Sequence, residues 1–426
     1  MKTRAGTYYM RAAPATGALY PIELYVVCGD IPGLKAGVYH FNALDFGLVR
    51  LRGNDFTAEV ASATGRTGIT YPLTIAFTSI AWRNAWKYEA RSYRHWFWDS
   101  GVIAANLLAT SSSENFPIQI DLGFIDSQIN HLLGLEPGKE ATVALAQIGI
   151  ARQASESRQT VAPRLALDVE PMSREEVEYS IIWKTNEESE LLGPREVEAW
   201  KISARPRADR NPARGPLFHL QPLKEEQHSP STLERTILKR GSTRRFAPTS
   251  IPFEPLSAIT SAAASPIPLD FQLPNESLVD FYFIANQVEG IPPGSYWFNQ
   301  AEGSFEQLKS GRFRDISGYL CLNQPLFADA SAVFFLMTDL HRVLDSLGNR
   351  GYRAAQFEAG IRAGKIYLSS YALGNGASGS TFYDDAVTEF FSPQAKDLST
   401  MIAVGVGVPA YRARSGAVLV PKTQPT

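Results

Sequence analysis

The sequence predicts two similar α+β domains arranged in tandem, because one long stretch of the chain occurs twice. GVYHFNALDFGLVRLRGNDF in the first half returns in changed form as GSYWFNQAEGSFEQLKSGRF, and identical residues such as Gly37 and Gly294 lie 257 positions apart. Further on, Tyr93 matches Tyr352 at an offset of 259. This period is far longer than the roughly 20 to 50 residues of a solenoid unit, so each copy should have a core of its own.

Strand and helix patterns alternate along the first copy. YPIELYVVCG and PLTIAFTSIAW are rich in β-branched and aromatic residues, which is typical of buried strands, and a Pro-Gly loop between them leads into a further strand. RSYRHWFWDSGVIAANLLATSS predicts a long helix on which Phe97, Gly101, Ala104 and Leu108 form one stripe. Small residues in that stripe predict close packing on a sheet or on a partner helix. TVALAQIGI closes the copy as a last strand.

We predict the first domain at residues 1–153, a helical and extended connector at 154–230, the second domain at 231–414 and a flexible tail at 415–426. The connector matches neither copy. SREEVEYSIIWK and GPREVEAWK predict short charged helices, and five prolines follow between Arg205 and Pro230. Ser231 to Glu234 has the spacing of a capping box, ERTILKR continues as a helix, and Gly241 is a natural stop.

The composition indicates well-formed cores and no nucleic-acid partner. Hydrophobic residues make up 44% of the chain, and a net charge of -2 without a long basic block gives no electrostatic footprint for nucleic acid. The partner is therefore predicted to be a small molecule or a peptide. The two copies are expected to behave as a fused pseudo-dimer, whether the chain is monomeric or further associated.

The sequence gives no indication of a membrane span, a metal site or a disulfide framework. MKTRAGTYYMRAAP lacks an apolar targeting segment and no run approaches the ~20 residues that a bilayer needs, so the predicted location is cytoplasmic. Six scattered histidines lack metal-binding spacing, and no metal is assigned. Cys28 and Cys321 lie in apolar runs and are predicted to be buried thiols, with a single disulfide or a redox pair as the alternative.

A basic segment, RGSTRRF, follows the predicted helix stop. In an extended chain, residues two apart face the same way, so Arg240, Ser242 and Arg244 would present two guanidinium groups and a hydroxyl to one point. This is suitable chemistry for a phosphate. The alternative is a solvated basic turn.

Several segments resemble flavin-dependent enzymes. RGSTRRF resembles the R-x-S-x-R-x-F phosphate signature that opens nitroreductase-fold domains, and ALGNGASGSTFYDDAVTEFF resembles their Gly-rich flavin loop and following helix. RAAPATGALYPIELYVV and WKYEARSYRHWFWDSG resemble the A-P-S-x-G-A-L-Y-P and W-K-Y-x-x-R-x-Y-R stretches of SagB-type dehydrogenases. Those nitroreductase-fold enzymes are associated with thiazole and oxazole formation in ribosomal peptides. The resemblance implies mostly antiparallel sheets flanked by helices.

The resemblance also implies one flavin mononucleotide (FMN) site at the domain interface, because in this family the phosphate ligands and the A-P-S-x-G wall come from different subunits. The first copy lacks the phosphate motif, whose place would precede Met1, and the second has FQLPNESL where the wall would recur. The implied phosphate ligands are Arg240, Ser242 and Arg244, with Arg412 or Arg414 as a further contact or a solvated tail. The implied ring contacts in the first copy are Ala13, Pro14, Thr16 and Gly17, although the family often has Ser where Ala15-Thr16 stands here. In the second copy they are the backbone amides of Gly374, Gly376, Ser378 and Gly379. The alternative for this second group is a plain turn.

Lys87 and Tyr88 match the Lys-Tyr pair that SagB-type dehydrogenases use for proton transfer. Oxidising an azoline sends a hydride to the flavin and a proton to a base, so the resemblance implies dehydrogenation of a heterocycle or a similar C–N substrate. Alternatively, the pair lies at the start of an amphipathic helix. Arg91, Tyr93 and Arg94 are predicted to be structural. There are two alternative functions. One is an NAD(P)H-dependent nitro or quinone reductase, and the other is a non-catalytic flavin-binding or scaffold subunit of a modification complex. The Lys-Tyr pair favours dehydrogenation, because nitroreduction needs no dedicated base.

Overall fold

Two antiparallel sheets, one in each half of the chain, form the centre of the molecule. The structure is a computed structural model that describes residues 10–66, 68–153, 162–165, 167, 171–204, 215–227, 231–271 and 276–411, with the backbone alone at 2–3 and 6–7. The sheet strands are β1 (Ile22–Cys28), β2 (Gly37–Asn42), β3 (Gly47–Gly53), β4 (Leu73–Ile80), β5 (Ile118–Asp121), β6 (Glu140–Ile148), β7 (Leu217–His219), β8 (Asp280–Ala285), β9 (Gly294–Asn299), β10 (Ser304–Ser310), β11 (Ala332–Thr338), β12 (Gly376–Ser380) and β13 (Ser399–Gly407).

Helices flank both sheets. They are α1 (Thr57–Ala63), α2 (Trp82–Tyr88), α3 (Ser92–Ser113), α4 (Asp126–Leu133), α5 (Ser180–Glu187), α6 (Pro194–Lys201), α7 (Leu233–Lys239), α8 (Phe253–Ala264), α9 (Arg314–Leu320), α10 (Pro325–Asp329), α11 (Leu340–Leu347), α12 (Arg350–Ala372) and α13 (Asp384–Phe391). The predicted long helix of the first copy is α3, and α12 is its counterpart in the second.

The second sheet repeats the first strand for strand. The first has the order β3-β2-β1-β4-β6-β5, and the second has the equivalent order β10-β9-β8-β11-β13-β12 with β7 added at its edge. Even the irregularities recur, because the ladder shifts register between Val38 and Tyr39 and again between Ser295 and Tyr296. The predicted α+β fold of two tandem domains is confirmed.

The long helices α3 and α12 pack against each other where the domains meet. Tyr93 stacks on Tyr352, its own counterpart, with ring centroids 6.2 Å apart and planes 4° apart. Gly101 lies against Gly360, so that a Cβ added at Gly101 would be 2.7 Å from the carbonyl carbon of Gly360. Residues meet their own equivalents only near a twofold axis. The predicted pseudo-dimer is therefore confirmed, and the glycines of the stripe permit the close approach.

The helix α7 begins and ends one residue away from its predicted caps. Thr232, rather than Ser231, is the N-cap, because its side chain accepts a hydrogen bond from the Arg235 amide at 3.2 Å. Lys239 is the last helical residue, and Arg240 rather than Gly241 turns the chain into extended conformation. This shift places the Arg240 side chain at the end of α7.

The connector contains two short helices that pack on the domains, but the first begins only at Ser180, seven residues later than SREEVEYSIIWK predicted. Trp183 of α5 contacts Trp96 with ring centroids 5.5 Å apart, and Trp200 of α6 contacts Phe271 with centroids 5.0 Å apart. Part of the predicted extended stretch lies outside the described residues, and β7 within it pairs with the edge of the second sheet. The boundaries at residues 153, 230 and 414 stay predictions.

The structure bears on the predictions about the cysteines and about membrane-spanning segments. Cys28 and Cys321 are both buried free thiols. Among the helices in the described ranges, none has the length and hydropathy needed to cross a bilayer.

Candidate functional site

The side chain of Arg240 reaches from the second domain to the first. It is 8% exposed, and its Nε donates to the Ala12 carbonyl at 3.0 Å, joined there by Nη2. Its Nη1 is buried without a hydrogen-bond partner in the described part of the chain. Burial lowers the pKa of Arg240, but a guanidinium remains charged at neutral pH. An unsatisfied N–H on a buried cation is a donor that an anionic ligand would satisfy.

The rest of RGSTRRF does not show the strict alternation expected of an extended chain, because Arg244 and Arg245 are both exposed. Thr243 turns inward, where its amide donates to the Ala377 carbonyl at 2.8 Å. Ser242 lies on the other side, with its hydroxyl 3.3 Å from the Tyr367 hydroxyl. Arg240 also lies beside this tyrosine, with Cζ 5.7 Å from the ring centroid. The structure therefore brings Arg240 and Ser242 together at Tyr367, whereas Arg244 is exposed on the surface.

The predicted wall forms a tightly anchored loop directly beyond Ala12. Ala13 is buried, Pro14 and Thr16 are half-buried, and Gly17 is exposed at φ +66°. Thr16 donates to the Asp99 carboxylate from its amide at 2.9 Å and from its hydroxyl at 2.8 Å. Left-handed conformations in the loop extend to the non-glycine residues Ala18 and Tyr20. Such conformations cost roughly 1–3 kcal/mol each and persist only where the surroundings hold them.

Tyr88, at the C-terminal end of α2, packs against the same loop. A Cβ added at Gly17 would lie 2.7 Å from the Tyr88 hydroxyl, so the phenol lies directly against the loop. The Tyr88 and His95 rings are perpendicular, with centroids 4.8 Å apart. Lys87 is exposed, with Nζ 5.1 Å from the centroid of the Tyr88 ring. Tyr88 thus faces the candidate site, and Lys87 lies at its solvent side.

The Gly-rich segment of the second copy is divided between a helix end and a strand. Gly374, at φ +78°, follows the C-terminal end of α12. Gly376 and Ser378 are buried in the edge strand β12, and a Cβ at Gly376 would collide with the Thr243 hydroxyl at 2.1 Å. Gly379 is exposed, and its amide donates to the Tyr367 hydroxyl. Gly379 is therefore the member that lies beside Arg240 and Ser242, through Tyr367.

Arg412 and Arg414, the remaining candidate phosphate ligands, lie outside the described residues. The described chain ends at Tyr411, whose hydroxyl accepts a hydrogen bond from the Arg244 amide at 3.0 Å.

The sequence analysis did not assign several residues that shape the site. Asp99 anchors Thr16 and is fully buried, and this burial raises its pKa to about 7 although the hydrogen bonds from Thr16 act in the opposite direction. Burial, together with the charges of Arg91 and Arg94, lowers the pKa of His95 to about 3, so its ring is neutral. In the sequence, Asp99 could have been noticed because it matches another acidic residue, Glu358, in the repeat. Only the fold shows that Asp99 contacts Thr16.

Arg91 and Arg94 have a structural role across the domain interface. Arg94 pairs with Asp384 of the second domain at 2.6 Å, and Arg91 pairs with the same carboxylate at 3.0 Å. Tyr93 stacks on Tyr352 between the two domains, as described above. These three residues therefore hold the domains together next to Tyr88.

Family comparison identifies the part of the chain that carries the candidate phosphate site. A model of the nitroreductase family matches residues 237–406, from within α7 almost to the end of β13. This stretch is a nitroreductase-family domain. In sequence, the chain is 33% identical over 152 residues to the trifolitoxin-processing protein TfxB of Rhizobium leguminosarum bv. trifolii. That alignment covers 33% of this chain and only 39% of TfxB.

Further relatives carry the nitroreductase name. A protein of Methanocaldococcus jannaschii is 25% identical over 141 residues, which is 33% of this chain and 70% of that protein. A crystal structure of a protein from Anabaena variabilis superposes with a TM-score of 0.77 at 25% identity, covering 96% of this chain and 84% of the other. Its fold therefore extends over both domains.

Proposed function

We propose that the chain is an FMN-dependent oxidoreductase of the SagB type that dehydrogenates an azoline, or a similar C–N heterocycle, in a peptide. The observation that carries this proposal is the contact of Arg240 with Ala12, which joins the phosphate segment of one domain to the wall of the other. Similarity to a protein that processes trifolitoxin supports a modifying enzyme. The family to which the second domain belongs supports flavin chemistry.

The residues present fit the phosphate of FMN. The buried Nη1 of Arg240 lacks a partner in the described residues, and the half-buried Ser242 hydroxyl lies on the same side of the chain. Arg244 would contact the phosphate from the solvent side. A phosphate with a charge near -2 would offset the cost of burying the guanidinium. Bound there, FMN would accept a hydride from the substrate, and an electron acceptor such as dioxygen would restore the oxidised cofactor.

Tyr88 is the proposed proton acceptor: as the phenolate it would take the substrate proton and then pass it to solvent by way of Lys87. Its hydroxyl lies against Gly17, so a substrate placed on the loop side of the site would meet it. The neutral ring of His95 lies perpendicular to the Tyr88 ring and restricts its orientation. Lys87 is exposed and can exchange a proton with solvent. The azoline would thus lose one hydrogen as a hydride to the bound flavin and the other as a proton to Tyr88, which balances the two-electron oxidation.

The test uses the purified full-length chain, FMN and a thiazoline-containing peptide. We expect a flavin absorbance spectrum after desalting and conversion of thiazoline to thiazole, a loss of two hydrogens by mass spectrometry. Tyr88→Phe should lower the rate while FMN stays bound, and the exposed Lys396→Ala should leave it unchanged. A colourless protein contradicts the cofactor assignment. Fast flavin reduction by NAD(P)H without azoline oxidation would instead favour a nitro or quinone reductase.

A further inference from the structure

Each long helix binds the opposite domain through an equivalent set of three residues. Two arginines at the start of the helix pair with one aspartate at the N-terminus of a helix in the other domain. The distances are 2.6 and 2.7 Å in one set, and 3.0 and 2.6 Å in the other. We call Arg350, Arg353 and Asp126 the covered clasp, and Arg91, Arg94 and Asp384 the open clasp. The arginines match at an offset of 259 and the aspartates at 258.

The covered clasp binds the connector as a peptide ligand. Arg353 donates to the Asn186 carbonyl at 2.6 Å and to the Ser189 hydroxyl at 2.7 Å, and Arg350 donates to the Ser189 carbonyl at 3.0 Å. The aspartate of the clasp accepts a hydrogen bond from the Leu191 amide at 3.1 Å. The clasp therefore binds both hydrogen-bonding groups of a peptide backbone. Its arginines donate to carbonyl oxygens, and its carboxylate accepts from an amide N–H.

The open clasp has the same groups, and within the described residues no connector segment covers it; besides its pair with Asp384, Arg91 donates to the Phe382 carbonyl of the second domain, at 3.3 Å. The side chains of Arg91, Arg94 and Asp384 are 35%, 24% and 32% exposed, whereas Arg350, Arg353 and Asp126 are 3%, 2% and 2% exposed. A cavity of about 180 Å³ adjoins it, between Tyr352 and the α5 residues Ile181 and Thr185. This volume can hold a side chain next to the exposed arginines.

We propose that the open clasp binds an external peptide segment in the way that the covered clasp binds residues 186–191. A simple anion is the poorer ligand, because Asp384 lies between the arginines and can accept an amide hydrogen but repels negative charge. The proposal deepens the proposed function and rests on it for the identity of the segment as part of the substrate. Arg91 is three residues beyond Tyr88, so a peptide held here would be adjacent to the proposed proton acceptor.

The probe is the connector's own sequence, TNEESELL, residues 185–192, acetylated at one end, amidated at the other and labelled with a fluorophore on a linker. Fluorescence anisotropy with the full-length chain should give saturable binding. Arg94→Ala should weaken it at least about 10-fold, the loss expected for charge-assisted hydrogen bonds. Arg312→Ala, which removes one exposed positive charge from the second domain, should bind like the wild type.

A change in the peptide tests the same contact without altering the protein. Replacing the serine that corresponds to Ser189 with alanine removes the hydroxyl that accepts from an arginine Nε in the covered clasp. We expect binding to weaken roughly 5-fold, the loss of one hydrogen bond. A scrambled peptide of the same composition should not saturate. This comparison holds even if Arg94→Ala fails to fold.

The proposal is overturned if the wild type shows no saturable binding, or if the Ser→Ala or scrambled peptide binds as well as the probe. Equal binding to Arg94→Ala overturns it too, because the peptide would then occupy another surface. Binding of the probe by a chain that oxidises no azoline supports the open clasp and contradicts the proposed function. An active chain whose KM for a thiazoline peptide is unchanged by Arg94→Ala supports the function and contradicts the clasp.

Discussion

The two sides of the pseudo-dimer have the same framework and different chemistry. On one side Tyr367 and Tyr371 flank the RGSTRRF segment, with the open clasp at the domain interface. At the equivalent positions of α3, 259 residues earlier, the chain has Leu108 and Ser112. The connector covers the clasp on that other side. Duplication has kept the residues that join the domains in both copies, whereas the proposed phosphate ligands Arg240 and Ser242 lie beside Tyr367, for which the first copy has Leu108.

The largest expected difference between the two sides concerns their aspartates. Asp126 is buried between Arg350 and Arg353, so Asp126→Asn leaves two buried cations without a counter-charge and should lower the free energy of unfolding by about 3–5 kcal/mol. Asp384→Asn, in the exposed clasp, should lower it by less than about 1 kcal/mol. Chemical denaturation of both variants measures the difference. Equal losses would contradict the distinction between a covered and an open clasp.

The helix contact on the pseudo-twofold axis should respond next most strongly. Gly101→Leu adds a side chain where even a Cβ would lie 2.6 Å from the Phe357 carbonyl oxygen, and we expect a loss of about 1–3 kcal/mol in unfolding free energy. Gly193→Leu is the matched control, because nothing lies within 4 Å of a Cβ added there. A Gly101→Leu chain as stable as its control would show that α3 and α12 are not closely packed.

Arg240 tests the proposed phosphate site. Arg240→Ala removes the buried guanidinium and should weaken FMN binding about 10- to 100-fold, because hydrogen bonds to charged groups contribute roughly 1.5–3 kcal/mol. Arg245→Ala, an exposed arginine in the same segment, is the control and should bind FMN normally. Flavin fluorescence titration measures both affinities. If Arg240→Ala bound FMN as tightly as Arg245→Ala, Arg240 would not be a phosphate ligand.

The last expected effect is a pH dependence of stability that is due to Asp99, the carboxyl group beneath the Ala13 to Gly17 loop. The pKa of Asp99 is raised from 3.8 to about 7 by burial, so the folded chain holds this proton more tightly than the unfolded chain. Stability should therefore fall as pH rises from about 4 to about 7, with a slope of at most about 1.4 kcal/mol per pH unit, and this slope should be absent in Asp99→Asn. Denaturation at several pH values compares the two chains. The same slope in Asp99→Asn would assign it to another group.

The sequence was sufficient for the architecture because duplication leaves a long-range signal. The offsets of 257 to 259 residues predicted the paired domains, and the small residues around Gly101 predicted close helix packing. By contrast, the capping-box spacing placed the helix cap on Ser231, whereas Thr232 has the extended backbone and the side-chain geometry of a cap. A one-residue shift of this kind depends on how the chain approaches the helix.

For the candidate site, the sequence indicated the segments but not their contacts. Nothing in RGSTRRF indicates that Arg240 would bind a carbonyl of the other domain, because that contact joins residues 228 positions apart. Asp99 was visible as a repeated acid, yet its bond to Thr16 depends on how α3 lies under the loop. The role of the connector as a ligand of the covered clasp also required the fold, since residues 186–191 match neither copy.

The number of flavins per chain tests the asymmetry of the two sides most directly. The full-length chain is saturated with FMN, desalted and denatured, and the released flavin is measured by absorbance against the protein concentration. We predict one FMN per chain, bound between Arg240 and the Ala13 to Gly17 loop. A ratio of two would contradict the account, because it would require a second complete site where Leu108 and Ser112 replace the tyrosines.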